Sequence, residues 1–232
     1  MNKGRRHGRF GAIPRSTVTD DMLLSEALLG ARVLAVGSHS DDIEIGCGGT
    51  LLRLQAGDPN FAVDWIVLTA RGERHDEAIA SAERFVGGNG TVRVGGFRER
   101  YFPYLPELKE FFDELGNEPQ PDIVFCPWSG DAHQDHRTTA ELVQNTFRSQ
   151  LVLEYEIPKI DGDLGRPSVF VDLEAQFVDR KIDAIIEGFP SQAHRTWFDP
   201  DLFRALMRLR GAQALSKSGY AEAFYSRRLK LL

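Results

Sequence analysis

An α/β fold built on a mainly parallel sheet is predicted by three features of this chain. Short aliphatic runs alternate with helical patterns along its length, in the manner of repeated β-α units. Its 232 residues, 42% of them hydrophobic, suffice to bury one sizeable core. Two of the aliphatic runs end in clusters of metal-ligand side chains, and a parallel sheet sets the carboxyl ends of its strands along one rim. Residues almost a hundred positions apart, about the spacing of the two clusters, can therefore meet there.

In chain order, Lys3, Arg5, Arg6, Arg9 and Arg15 stand among several glycines, so residues 1–18 read as a flexible basic tail, in which His7 carries no signal. Residues 19–232 read as a single domain. Thr19, Asp20 and Asp21 can cap a short helix through Leu28. Val33-Leu34-Ala35-Val36 reads as a buried parallel strand bounded by Gly37 and Ser38. After a motif loop, residues 50–55 continue a helix that Gly57-Asp58-Pro59 ends. Residues 62–69 form a second strand. Residues 76–86 form a helix with Ala78, Ile79, Ala82, Phe85 and Val86 on one side, stopped by Gly87-Gly88. A third strand at 91–94 leads into a loop, Arg98 to Pro103, able to reach the rim. A helix over 105–115 precedes the fourth strand, Ile123-Val124-Phe125-Cys126, closed by Pro127. A helix over 138–148, strands at 151–157 and 168–171, and helices at 177–186 and 201–211 complete the pattern. There are no internal repeats, and no linker divides the chain.

The formal net charge of -6 argues against a general nucleic-acid binder, which needs a basic surface to neutralise phosphates. No apolar run approaches a membrane span, and the N-terminus lacks the apolar core of a secretory signal. With two cysteines and no disulfide framework, a cytoplasmic protein is expected. Cys47 and Cys126 show no Cys-x-x-Cys spacing and read as small buried hydrophobes. Nothing specifies an oligomeric state.

The clusters are His39-Ser40-Asp41-Asp42 and His133-Gln134-Asp135-His136. A catalytic zinc site takes about three ligands from His, Asp and Glu and keeps a further position open for water. Two histidines and one aspartate would fill it. A carboxylate that is not a ligand can then take the proton of the activated water. Adjacent aspartates suit that division: of Asp41 and Asp42, one would bind metal and the other act as base. The glycines at 46, 48 and 49 do not form a dinucleotide fingerprint, which would follow the strand directly; close helix packing explains them better.

The run His39-Ser40-Asp41-Asp42-Ile43-Glu44-Ile45-Gly46-Cys47-Gly48-Gly49-Thr50 resembles the signature of the LmbE-like, or PIG-L, zinc de-N-acetylases, and the second cluster resembles that family's His-x-Asp-His motif. Arg71-Gly72-Glu73, Tyr155-Glu156-Ile157-Pro158, Ser191-Gln192 and Tyr220-Ala221-Glu222-Ala223-Phe224 extend the likeness to roughly residues 31–226. The resemblance implies a Rossmann-like three-layer fold, with His39, Asp42 and His136 as ligands of Zn2+ and Asp41 as general base. Fe2+, Co2+ or Mn2+ could take the place of zinc in such a donor set. It implies that His133 stabilises the oxyanion and that Asp135 orients a neighbouring histidine. It implies Arg71 as a substrate contact, with His194 as a further candidate at the pocket; His75 reads as solvated. Ser40 stands where the family carries Pro, which frees one φ in the loop. The implied reaction removes the acetyl group of a small-molecule amino sugar or related glycoside, releasing acetate and an amine. A larger amide, such as a thiol conjugate or an antibiotic intermediate, would suit the same chemistry. A non-catalytic carbohydrate binder would have no need of the spare base Asp41.

Overall fold

The aliphatic runs form strands where the sequence predicts them, because residues buried on both faces of a sheet must be apolar throughout. In the computed structural model, which describes residues 30–86 and 90–229, β1 (Val33–Gly37), β2 (Val63–Val67), β3 (Val92–Val94), β4 (Ile123–Pro127) and β5 (Leu151–Tyr155) are parallel. Two further strands, β6 (Val169–Asp172) and β7 (Ala221–Tyr225), complete a seven-stranded sheet of order β3-β2-β1-β4-β5-β7-β6. β7 runs antiparallel to both its neighbours.

Side-chain alternation along each strand divides the interior into two layers. Val33, Ala35, Ile123, Phe125, Leu153 and Tyr155 face one core, shared with α1 (Asp42–Gly57), α2 (Glu73–Ala82), α5 (Ala175–Gly188) and α6 (Pro200–Gln213). Leu34, Val36, Val124, Cys126 and Val152 face the other, against α3 (Pro106–Leu115) and α4 (Gln134–Thr146). Helices on both faces of a mainly parallel sheet make the three-layer architecture. Cys47 belongs to the first core and Cys126 to the second; both are free, and burial pushes both thiols well up.

The strand order places the functional rim. From β1 the chain winds outward through β2 to β3, then returns to lay β4 on the opposite side of β1. The order thus reverses between β1 and β4, the kind of point at which a crevice opens beyond the carboxyl ends of the strands. Both ligand clusters follow these two strands.

Several boundaries differ from the sequence reading. The helices α1 and α4 start at Asp42 and Gln134, inside the motifs, so each cluster is the entrance to a helix and not a loop ahead of one. The helix α2 spans Glu73–Ala82, three residues earlier at its start than expected, and residues 83–86 form turns. The strand β7 is absent from the sequence reading, where its residues figured only in the resemblance. The basic tail, the helix near residues 19–28 and the Gly87-Gly88 stop lie outside the described residues. Among the described residues no helix is long and apolar enough to cross a membrane.

Two buried charges staple α1 to α5 and to β7. Lys181 of α5 donates to the Ile45 carbonyl at 2.6 Å and pairs with Glu222 of β7 at 2.6 Å. Glu222 in turn accepts from the Gly49 and Thr50 amides at 2.8 and 2.7 Å. The glycines make this approach possible: a Cβ at Gly46 would lie 2.1 Å from the Tyr155 ring, and one at Gly49 would lie 2.6 Å from Leu173. The Tyr155 ring has no room to yield, since it is fully buried and its hydroxyl donates to the Val36 carbonyl at 2.7 Å. Gly46→Ala is therefore expected to cost about 1–3 kcal/mol by overpacking. Thermal denaturation should show a fall of about 2–4 °C per kcal/mol. Gly57→Ala, where an added Cβ meets nothing within 4 Å, should leave the melting temperature unchanged.

Candidate metal centre

Six predicted side chains converge at the reversal between β1 and β4. From the first motif, Asp42 opens α1 and its Oδ2 accepts the His39 amide at 2.9 Å, a bond that closes the loop and turns both side chains to one side. From the second, His133 caps α4, and its Nδ1 accepts the Asp135 amide at 3.2 Å. That cap leaves His136 in the first turn, facing back toward His39.

Three atoms form a tight triangle. His39 Nδ1 and His136 Nε2 are 3.1 Å apart, His136 Nε2 and Asp42 Oδ2 3.3 Å, and His39 Nδ1 and Asp42 Oδ2 3.6 Å. A tetrahedral ion with ligands at about 2.0–2.2 Å holds its donors roughly 3.3–3.6 Å apart, so this donor set fits a zinc-like cation. His133 flanks the triangle, with its ring 4.8 Å from that of His39 and 4.9 Å from that of His136. The nitrogens of His39, His133 and His136 all lie within 4.8 Å of one another, which puts His133 within reach of whatever the triangle holds.

Carboxylates behind the rings fix their orientation, an arrangement that would suit metal-ligand histidines. Asp131 Oδ2 lies 2.9 Å from His136 Nδ1, so that ring presents Nε2 to the triangle. Asp135 Oδ2 lies 3.4 Å from His39 Nε2, so that ring presents Nδ1. Burial opposes charge on both imidazoles, but Asp42 overrides it. With help from Asp135 and Asp131 respectively, it raises His39 to about 9 and His136 to about 10. Burial would likewise raise Asp42, yet His136 and His39 hold it well below the usual carboxylate range. The cluster demands positive charge at its centre, from protons on the rings or from a cation in their place.

Asp41 points apart from its neighbour. Its Oδ2 is buried and has no hydrogen-bond partner among the described residues, while Oδ1 lies 3.5 Å from Arg74 Nη2. Burial and then the adjacent Asp42 charge raise its pKa, against a smaller opposing pull from Arg74. His133 is lowered by burial and by the other two histidines. Its Nδ1 is occupied as an acceptor, so a neutral ring carries its hydrogen on Nε2.

The other two predicted site residues lie at the surface. Arg71 is exposed and donates to the Gly96 carbonyl at 2.6 Å, and exposed His194 faces the Ser191 carbonyl at 2.9 Å. His75 is partly exposed beside Asp76. Three residues at the centre escaped the sequence reading. Arg74, in the first turn of α2, bonds Ser40 Oγ at 3.0 Å as well as approaching Asp41. Asp131 supports His136, and Lys159 donates to Asp131 at 2.9 Å from a loop beyond β5. A signal existed for Asp131, an acid two residues ahead of the second cluster; for Arg74 and Lys159 there was none without the phase of a helix and the path of a loop.

The chain is similar to several known proteins. Residues 34–147 match the family model PIG-L, described as GlcNAc-PI de-N-acetylase. A relative from Escherichia coli (strain K12), the uncharacterized deacetylase YaiS, is 26% identical over 181 residues, 72% of this chain and 96% of its own. Among solved structures, the conserved protein TT1542 of Thermus thermophilus superposes with a TM-score of 0.72 at 24% identity, over 87% of this chain and 97% of that one. The N,N'-diacetylchitobiose deacetylase of Pyrococcus horikoshii gives 0.63 at 21%, over 84% and 83%. The 4-carboxy-2-hydroxymuconate hydratase GalB of Pseudomonas putida KT2440 gives 0.66 at 19%, over 87% and 98%. At these identities the structures establish the shared fold, and the fold carries more than one chemistry.

Asp131→Asn keeps the shape behind His136 and removes the charge. Competition against a chromogenic chelator should show divalent-metal affinity about 10- to 100-fold weaker than in the wild type.

Proposed function

From the match of residues 34–147 to the PIG-L family model, we propose that the protein is a metal-dependent hydrolase that removes the N-acetyl group of an N-acetylated amino sugar or related glycoside. The observation that carries this reading is the unpartnered, buried Asp41 Oδ2 beside the donor triangle of His39, Asp42 and His136. A binding module has no need of a second buried carboxylate beside the ligand candidate Asp42, whose charge adds to the cost of ionising Asp41.

A bound divalent cation, Zn2+ by family likeness, supplies Lewis acidity toward the amide carbonyl and toward water. His39 Nδ1, Asp42 Oδ2 and His136 Nε2 hold it. Asp41 accepts a proton from the attacking water, and its raised pKa matches a base that must also give that proton up. His133 presents Nε2–H to the oxyanion that forms at the carbonyl carbon, a neutral donor fixed in place by the helix cap. As the C–N bond breaks, the proton held by Asp41 passes to the departing nitrogen. The products are acetate and the free amine.

Asp135 holds the His39 ring and Asp131 the His136 ring, so neither imidazole turns during the cycle. Two buried free thiols accord with a reducing compartment, and we place the enzyme in the cytoplasm.

Metal-loaded protein offered a panel of N-acetylglucosamine derivatives should release acetate. Asp41→Asn is expected to lower that rate by about 10²- to 10⁴-fold while bound metal, measured in parallel, stays stoichiometric. His133→Ala should lower kcat by about 10²- to 10³-fold. Release only from longer acyl chains would move the substrate to a larger amide, and failure of the folded protein to take up metal would overturn the proposal.

A further inference from the structure

Among the described residues Arg100 is one of two non-glycine residues with positive φ, at 67°. That left-handed conformation is strained for a residue bearing a Cβ and free of strain for glycine. Two groups of the second motif hold it there. The Arg100 amide donates to Asp135 Oδ2 at 2.5 Å, and its carbonyl accepts from the Gln134 side chain. The same Asp135 oxygen faces His39, so the Arg100 backbone is tethered at the edge of the histidine cluster.

Both of those contacts use the backbone, and a glycine would make them equally well. What arginine adds is the guanidinium, which is exposed and makes no hydrogen bond or ion pair among the described residues. Its neighbours are engaged. Arg98 lies over the Tyr101 ring, 3.5 Å from the centroid, and Glu99 stands 3.8 Å from Arg74. On a chain of net charge -6, which repels anions at long range, an exposed guanidinium carried on backbone tethered beside the cluster is a local attractor for negative charge.

We propose that Arg100 reads an anionic substituent on the substrate, so that the enzyme acts on acidic N-acylated amino sugars, bearing phosphate or carboxylate, in preference to neutral ones. The inference rests on the amide-hydrolase reading of the metal centre. The planar fork of arginine matches the paired oxygens of either group. The tether to Asp135 fixes the backbone from which the fork extends, beside the histidine cluster.

Calorimetric titration of metal-loaded Asp41→Asn protein, which binds without turnover, tests this. The ligands are N-acetylglucosamine, its 1-phosphate, its 6-phosphate and N-acetylmuramic acid, with inorganic phosphate alongside. At least one acidic sugar should bind about 10- to 100-fold tighter than the neutral one. Which one does so distinguishes phosphate from carboxylate. Adding Arg100→Gly, which keeps the left-handed backbone and so should hold the melting temperature, should bring that ratio to about one, and Arg100→Lys should restore part of it. Equal binding of neutral and acidic sugars, a ratio untouched by Arg100→Gly, or inorganic phosphate binding as tightly as the sugar phosphate would each overturn the proposal. Acetate release by the wild type on the same panel separates the two readings: an intact binding ratio without release sinks the deacetylase and leaves the role of Arg100 standing.

Discussion

Four carboxylates, Asp41, Asp42, Asp131 and Asp135, are each at most 4% exposed around three imidazoles, and the compensation of that buried negative charge organises everything near the site. An isolated buried carboxylate is prohibitively costly, so each must be paired or hydrogen-bonded. Asp42 is met by the His39 amide and two imidazoles, and Asp135 by the Arg100 and Phe102 amides. Asp131 is met by the His133 amide, His136 and Lys159. Each carboxylate thereby recruits a different stretch of chain: the loop after β3 is drawn in by Asp135, the loop after β5 by Asp131. Of the four, Asp41 is compensated least, with Arg74 at 3.5 Å from one oxygen and no hydrogen-bond partner for the other among the described residues.

The parts legible in the sequence were those with local causes. β1 and β4 carry no polar side chain because they are buried on both faces, and their end-loops carry the ligand-type residues, so strand, rim and the six converging side chains could be read in advance. The starts of α1 and α4 could not, because the motif residues His39 and His133 look like loop residues yet lead straight into helix. β7 was hidden for another reason. Its sequence, Ala-Glu-Ala-Phe-Tyr, places Glu222 in the sheet, and only the pairing with Lys181 from α5 and the amides of α1 makes that burial tolerable. Arg74 and Lys159 belong to the same class: their roles depend on which way a helix or loop turns after leaving the sheet, and nothing local in the sequence encodes it.

The two halves of the site also differ in what holds them. The second motif sets its own histidines, since His133 caps its own helix and Asp131 both caps the loop and supports His136, and the loops after β3 and β5 gather on its carboxylates. The first depends on distant chain. Its helix is gripped at Ile45, Gly49 and Thr50 by residues from α5 and β7, and Ser40 is held by Arg74 of α2. Ser40 has thus gained a hydrogen-bonded anchor at a position where a proline would have supplied rigidity through its ring.

The grip of Glu222 on α1 has a consequence for synthesis on the ribosome. β7 lies between β5 and β6, so the sheet keeps an open slot until residues 221–225 have emerged, long after both metal-ligand motifs are made. Until then Lys181 lacks its buried partner and the middle of α1 lacks its anchor. Pairings of such long sequence separation form late and slowly. Until residues 221–225 emerge, a nascent chain therefore carries His39 and Asp42 without the framework that aligns them.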